Sequence, residues 1–175
     1  MTRAQSGTQS QNLREFQARL AERLRQAAAA PNVSARLGLQ IGEARFLVEL
    51  SEAGEILPVP PITPVPLTRD WFKGVVNLRG TLHSVIDLQR FMGLGFTPTD
   101  RESRLVAFGA KVGVNAGVVV SRMLGLRNIG AMQQGPEPAE DGWLQSAWID
   151  SDGATWRELS LIRLARDERF MVVGR

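Results

Sequence analysis

The feature of this sequence that most constrains its fold is a succession of short apolar segments separated by tight turns. The segments follow Pro31 and are rich in β-branched and aromatic side chains, which is typical of β-strands. Their close spacing favours β-barrels over a parallel sheet with crossover helices. The predicted strands are 36–41, 45–50, 54–59, 75–79, 81–87, 104–110, 112–120, 147–151 and 155–159, with short helices at 88–92 and 160–166. The predicted tight turns lie at Gly42-Glu43, Gly80, Ala110-Lys111 and Asp152-Gly153.

The first 36 residues differ in composition from the rest of the chain. They carry six arginines against two glutamates, a balance of +4, whereas the remainder holds 15 basic and 16 acidic residues. Residues 1–11 are rich in Ser, Gln and Thr and predict a disordered lead-in. Residues 12–30 predict an amphipathic α-helix, which packs on the chain's own core or docks a partner. Its apolar stripe consists of Leu13, Phe16, Leu20, Leu24 and Ala27.

The isoelectric point of about 10.5 does not indicate a basic body. The net charge is only +3, tyrosine is absent, and Lys73 and Lys111 are the only lysines, so few groups titrate between neutrality and the arginine range. A nucleic-acid-binding domain is expected to carry a basic face across its fold. Binding of nucleic acid is therefore not predicted, except as an alternative in which the arginine-rich N-terminal helix acts alone.

The side chains that carry most enzyme chemistry are scarce. There is no cysteine, which excludes disulfides and thiol nucleophiles, and a single histidine excludes multi-histidine metal sites. No phosphate-binding loop occurs, so neither a catalytic residue nor a cofactor nor a metal is predicted. The alternative is a small β-barrel enzyme or ligand-binding protein that uses Asp87, Glu55 and His83.

The sequence contains no segment that predicts a membrane span. No stretch approaches the ~20 apolar residues that a transmembrane helix needs. The polar N-terminal residues contain no apolar secretory core. The expectation is a cytoplasmic protein without direct membrane insertion.

One run of the chain resembles a family signature. Residues 71–88, Trp-Phe-Lys-Gly-Val-Val-Asn-Leu-Arg-Gly-Thr-Leu-His-Ser-Val-Ile-Asp-Leu, resemble the central signature of CheW-type coupling proteins of bacterial chemosensory systems. Every signature position matches except Ser84, where the family has proline. Residues 46–57 resemble the strands that precede the signature, and 117–120 resemble a strand of the second barrel. The resemblance weakens after residue 121, where Ser121 and Gly125 replace frequently acidic positions.

The resemblance implies a mainly β, CheW-like domain over residues 36–166. Its expected fold is two packed SH3-like five-stranded β-barrels, preceded here by the N-terminal amphipathic helix. The family is non-catalytic and uses no cofactor. Its implied partners are the regulatory domain of a CheA-type histidine kinase and the cytoplasmic tip of a methyl-accepting chemoreceptor, within a larger array. Within the family, the N-terminal helix, Trp71 and the Gly54-Glu55-Ile56-Leu57 segment are most similar to the CheW-like proteins of type IV pilus (twitching) systems.

The resemblance also implies a partner-binding site. Glu55 lies at one end of a predicted strand and Arg79 lies in a predicted hairpin, so a bidentate carboxylate–guanidinium pair could tie two strands together. The family has a Glu–Arg pair at these two positions. The pair could be a structural brace, the edge of a partner-binding groove, or both. The predicted partner-binding residues are Glu55 and Arg79 as the pair, with Ala53, Gly74, Asn77 and Leu78 as groove neighbours.

Overall fold

The part of the chain described in the computed structural model comprises residues 34–137 and 142–175. The chain divides into two units, Met1–Val33 and Ser34–Arg175. The predicted lead-in at 1–11 and the predicted helix at 12–30 lie outside the described residues. None of the helices within 34–137 and 142–175 has the length and apolar character needed to cross a membrane.

The described residues fold mainly into β-structure, which confirms the predicted class. The strands are β1 (Ala35–Ile41), β2 (Ala44–Glu49), β3 (Ala53–Pro58), β4 (Phe72–Leu78), β5 (Thr81–Asp87), β6 (Arg104–Phe108), β7 (Ala116–Val120), β8 (Arg122–Asn128), β9 (Gln133–Gln134), β10 (Leu144–Ile149) and β11 (Thr155–Leu159). The short helices are α1 (Leu88–Phe91), α2 (Leu161–Leu164) and α3 (Glu168–Met171), with 3₁₀ turns at Ala110–Val112 and Ile129–Ala131.

The strands form two sheets. One has six strands in the order β8-β1-β2-β11-β10-β9, and the other has five in the order β3-β6-β7-β5-β4. Neighbouring strands are antiparallel except for the pairs β2–β11 and β5–β7, which are parallel. The predicted hairpins at Gly42-Glu43, Gly80 and Asp152-Gly153 are confirmed, because the strands that flank each of these turns pair antiparallel.

The prediction of two closed five-stranded barrels is wrong. Among the described strands, β3 and β4 are the edges of the five-stranded sheet, and β8 and β9 are the edges of the six-stranded one. A proline-rich segment, 58–66, leads away from β3. Because proline lacks the N–H group that a strand ladder needs, this segment cannot pair continuously. It contributes one antiparallel bridge, in which Thr63 and Val75 exchange two backbone hydrogen bonds of 2.9 Å.

The prediction of one continuous strand over 112–120 is also wrong. Strand β7 begins only at Ala116, and the predicted turn at Ala110-Lys111 is the first part of a 3₁₀ turn. Gly113 then adopts a left-handed φ of 79°, which interrupts an extended backbone. Strands β6 and β7 do pair antiparallel, but through the longer connection 109–115.

The five-stranded sheet is buried on both faces. On β7, Val118 faces a large core cluster that also includes Leu39 and Phe46 of the six-stranded sheet. The next residue, Val119, points to the opposite face and joins a second cluster. Alternation along buried strands therefore gives the five-stranded sheet one core shared with the other sheet and one core of its own. The second cluster contains Val76, Leu78, Val85, Leu105, Ala107 and Val119.

Candidate functional site

The turn between β4 and β5 positions the central residues of the candidate site. Leu78 and Thr81 pair across the hairpin, so Arg79 and Gly80 form a two-residue loop. Both adopt a positive φ, 52° and 86°, as a type I′ turn requires. The Asn77 side chain stabilises this turn because its Oδ1 accepts a hydrogen bond of 2.8 Å from the Gly80 N–H. Asn77 thus acts as a turn former.

The structure brings Glu55 and Arg79 together. Arg79 Nη2 donates a hydrogen bond of 3.1 Å to Glu55 Oε1. This is a single hydrogen bond rather than the bidentate pair that the sequence suggested. The Arg79 side chain is 82% exposed and that of Glu55 is 38% exposed. Ion pairs in such exposed positions contribute about 0–1 kcal/mol to stability, so this pair is a weak brace whose charges face solvent.

The hairpin that carries Arg79 also carries an exposed apolar side chain. Leu82 is directly opposite Asn77 on the β4–β5 hairpin, so both side chains are on the same face, and Leu82 is 60% exposed. Sequence reasoning did not select Leu82. The available signal was its place in the signature hairpin, on the strand face opposite the buried Val85. The exposed residues Glu55, Asn77, Arg79 and Leu82, which are linked by this ion pair and by the β4–β5 hairpin, are here called the docking face.

The other three predicted groove neighbours are not part of this exposed surface. Leu78 is 9% exposed and packs in the second cluster, which belongs to the five-stranded sheet. Gly74 is buried, and a Cβ atom there would lie 2.1 Å from the Thr63 carbonyl oxygen. Ala53 is half-buried and pairs with Phe108 at the start of β3. They belong to the two strands, β3 and β4, that carry Glu55 and Asn77.

The alternative site built on Asp87, Glu55 and His83 is not assembled in the structure. Asp87 is fully buried at the end of β5, and its carboxylate accepts hydrogen bonds from the backbone N–H of Arg90 and from the backbone and hydroxyl of Thr97. It therefore caps α1 and anchors the following loop. Within the described residues, His83 interacts with the Thr81 carbonyl oxygen, and no group of His, Asp and Glu side chains there could hold a metal ion.

A second exposed apolar feature follows α1. Leu94 and Phe96 are both exposed, and the Arg90 guanidinium carbon lies 4.5 Å from the centre of the Phe96 ring. Arg90 Nε also donates a hydrogen bond of 2.8 Å to Asp70 Oδ2. This hydrogen bond from Arg90 lowers the pKa of the Asp70 carboxyl below its ordinary value. The loop therefore holds two apolar side chains at the surface next to a satisfied ion pair.

Comparisons with known proteins agree with this architecture. A family model for the CheW-like domain matches residues 36–169. PilI of Pseudomonas aeruginosa is 34% identical over 92 residues, which cover 53% of this chain and 51% of that protein. The chemotaxis protein CheW of Thermotoga maritima is 32% identical over 93 residues, covering 53% and 60% of the two chains. FrzA of Myxococcus xanthus is 33% identical over 99 residues, covering 57% and 61%.

A solved structure has the same fold. The scaffolding protein TtCheW from Thermoanaerobacter tengcongensis superposes with a TM-score of 0.61 at 20% identity, covering 72% of this chain and 88% of that chain. The matched regions of the curated relatives are shorter and span only about half to three-fifths of their lengths. Because the family model covers most of the sequence, including both sheets and the docking face, the chain belongs to the CheW-like domain family.

Proposed function

We propose that this protein is a non-catalytic chemosensory adaptor that couples a methyl-accepting chemoreceptor to a CheA-type histidine kinase. The observation that carries this proposal is the docking face. It presents an exposed ion pair and an exposed leucine on a hairpin whose turn is held by the Asn77–Gly80 hydrogen bond. A preorganised surface of this kind binds a partner without a large ordering cost. The proposal places the adaptor in the cytoplasm, as a member of a larger array.

Control of type IV pilus (twitching) motility is the more specific part of the proposal. It is supported by the similarity to PilI of Pseudomonas aeruginosa and by the resemblance of the Gly54-Glu55-Ile56-Leu57 segment and Trp71 to the CheW-like proteins of pilus systems. The similarity to FrzA and to CheW supports the broader role in chemosensory signalling.

The adaptor mechanism is geometric. A protein that contacts both receptor and kinase can hold them in a fixed relative orientation. A change in the receptor then alters the free energies of two kinase states, provided that the contacts differ between those states. In this proposal Glu55, Arg79, Asn77 and Leu82 contact a partner directly. Ala53, Gly74 and Leu78 maintain the strands that present them.

Charge reversal of the pair tests the proposal. Arg79→Glu and Glu55→Arg should each leave the fold intact, because the pair is exposed. Each should weaken capture of the cognate kinase regulatory domain or receptor tip about tenfold or more, measured by calorimetry with each partner separately. Unchanged affinity for both partners in both variants would contradict the site assignment.

A second exposed ion pair supplies the matched control. Arg122 and Glu102 form an ion pair in which each side chain is more than half exposed, and Arg122 belongs to the six-stranded sheet. Arg122→Glu makes the same change in net charge as Arg79→Glu. It should leave both affinities unchanged, so that a loss in the Arg79 variant reports on the docking face rather than on overall charge.

A further inference from the structure

A buried carboxylate lies close to the docking face in sequence but takes no part in its exposed surface. Glu52 belongs to the turn between β2 and β3, and it is only 6% exposed. Charged side chains are rarely buried to this extent unless hydrogen bonds compensate the loss of hydration. Neither the family signature nor the proposed ion pair accounts for this residue.

The carboxylate of Glu52 bonds to the beginning of α2. Its Oε2 accepts hydrogen bonds from the backbone N–H groups of Leu161 and Ile162, at 2.5 and 3.4 Å. Its Oε1 accepts a hydrogen bond of 3.1 Å from the Ser160 hydroxyl. These N–H groups have no partner inside the helix, so the carboxylate satisfies them while they compensate its burial. The contact joins residues that are 109 positions apart.

The backbone of the same turn is held as tightly as the side chain. The Glu52 carbonyl accepts a hydrogen bond of 2.7 Å from the Gly109 N–H. A Cβ atom at Gly109 would lie 3.0 Å from the Ser51 carbonyl oxygen, and one at Gly54 would lie 2.9 Å from the Phe108 carbonyl oxygen. The turn therefore packs backbone against backbone on the end of β6, and only glycine permits this approach at Gly54.

We infer that Glu52 is a positioning residue for the docking face. Strand β3 begins at Ala53, immediately after Glu52, and presents Glu55 two residues later. The carboxylate fixes the start of this edge strand against α2, so the position of α2 and the presentation of Glu55 are coupled. The inference rests on the proposed function for its binding consequence, but the coupling itself is a property of the folded chain.

Four variants test this coupling. Glu52→Ala removes all three side-chain hydrogen bonds. Glu52→Gln is the conservative variant, because its amide oxygen can still accept from the Leu161 N–H and its amide nitrogen can donate to the Ser160 hydroxyl. Ser160→Ala removes the bond to Glu52 Oε1 and also the hydrogen bond that the Ser160 hydroxyl accepts from the Arg163 N–H, and it keeps the carboxylate. Glu49→Ala is the matched control, since Glu49 is an exposed carboxylate at the other end of the same turn.

The first measurement is amide hydrogen exchange of the full chain, which needs no partner. Glu52→Ala should accelerate exchange both in residues 161–164 and in residues 53–57, although the two segments are far apart in sequence. Glu52→Gln and Glu49→Ala should leave residues 53–57 close to the wild-type rate. Acceleration confined to residues 161–164 would overturn the inference, because Glu52 would then only cap α2.

The second measurement is affinity for the cognate kinase regulatory domain and for the receptor tip, at a temperature where every variant is folded. Glu52→Ala should weaken capture about tenfold, Ser160→Ala less, and Glu52→Gln should restore most of the wild-type affinity. Unaltered affinity of folded Glu52→Ala for both partners would overturn the inference. If Glu52→Ala does not fold, hydrogen exchange and partner affinity are measured on Ser160→Ala instead, and the inference is judged by the same criteria. If the wild-type protein binds neither partner, the proposed function fails, whereas the exchange measurement still tests the coupling.

Discussion

Glu55 and Arg79 come from opposite edges of the five-stranded sheet, yet their side chains meet at 3.1 Å. Glu55 is on the edge strand β3, and Arg79 follows the other edge strand, β4. The two edges can approach only if the sheet is strongly curved. Such curvature agrees with the second cluster, whose buried residues all come from this sheet. The ion pair and the single Thr63–Val75 bridge therefore lie where a closed barrel would have a continuous strand ladder.

Replacing Arg79 by asparagine should distinguish the contribution of the turn conformation to stability from that of the ion pair. Arg79 has a φ of 52°, which non-glycine residues other than Asn and Asp rarely adopt, and Asn-Gly is the preferred type I′ sequence. We expect the free energy of unfolding of Arg79→Asn to be higher than that of the wild type, or at most about 1 kcal/mol lower. Arg79→Ala should be less stable than Arg79→Asn. Urea denaturation measures both, and an asparagine variant no more stable than the alanine variant would contradict the role of turn conformation.

Gly74 should be among the positions least tolerant of a side chain. A Cβ atom there would lie 2.1 Å from the Thr63 carbonyl oxygen, and the φ of 133° is unfavourable for any other residue. We expect Gly74→Ala to lower the free energy of unfolding by about 3 kcal/mol or more, because both clash and backbone strain must be relieved.

Gly153 is the matched control for this substitution. Its φ is 79°, but no atom lies within 4 Å of a Cβ placed there. Gly153→Ala should therefore show the cost of a left-handed φ without a clash, about 1 kcal/mol. Equal losses of stability in the two variants would show that contact with the Thr63 carbonyl does not matter. Chemical denaturation of both variants side by side makes the comparison.

The Asp150 carboxylate should make the stability of the protein pH-dependent. Hydrogen bonds from the Trp156 indole and from the Ala154 and Asp152 backbone N–H groups lower the pKa of Asp150 below its ordinary value of 3.8. A carboxyl with a lowered folded-state pKa stabilises the protein fully above its unfolded-state pKa, and this contribution is lost as the pH falls through the folded-state value.

Asp150→Asn should reveal that contribution. The difference in unfolding free energy between wild type and this variant should be largest above about pH 5 and should decrease steadily as the pH falls below 3.8. Asp152→Asn in the same turn controls for the change in net charge. If the difference in unfolding free energy between wild type and Asp150→Asn stays constant from pH 7 to pH 2.5, the proposed contribution of the Asp150 carboxylate is wrong.

Local sequence patterns predicted the regular strands well and the irregular ones poorly. The hairpins β1–β2 and β4–β5 are confirmed because each combines alternating apolar residues with a glycine turn. Strand β8 was missed because Gly125 interrupts its short apolar run. Among the strands of residues 34–137 and 142–175 it pairs only with β1, through a bulge at the Gly38–Leu39 step. Two-residue β9 and four-residue α3 are too short to show any periodicity.

The sequence by itself determined most of the strands, the turns at Gly42-Glu43, Gly80 and Asp152-Gly153, and the family signature, whose resemblance implied the Glu55–Arg79 pair. These strands and turns depend on residues that are close along the chain, where alternation and turn chemistry act directly. The tertiary structure alone decided that the sheets stay open, that Leu78 and Gly74 are buried and Leu82 is exposed, and that the Glu52 carboxylate bonds to α2. These features depend on contacts between segments far apart in sequence, which arise only when the whole chain buries its apolar faces together.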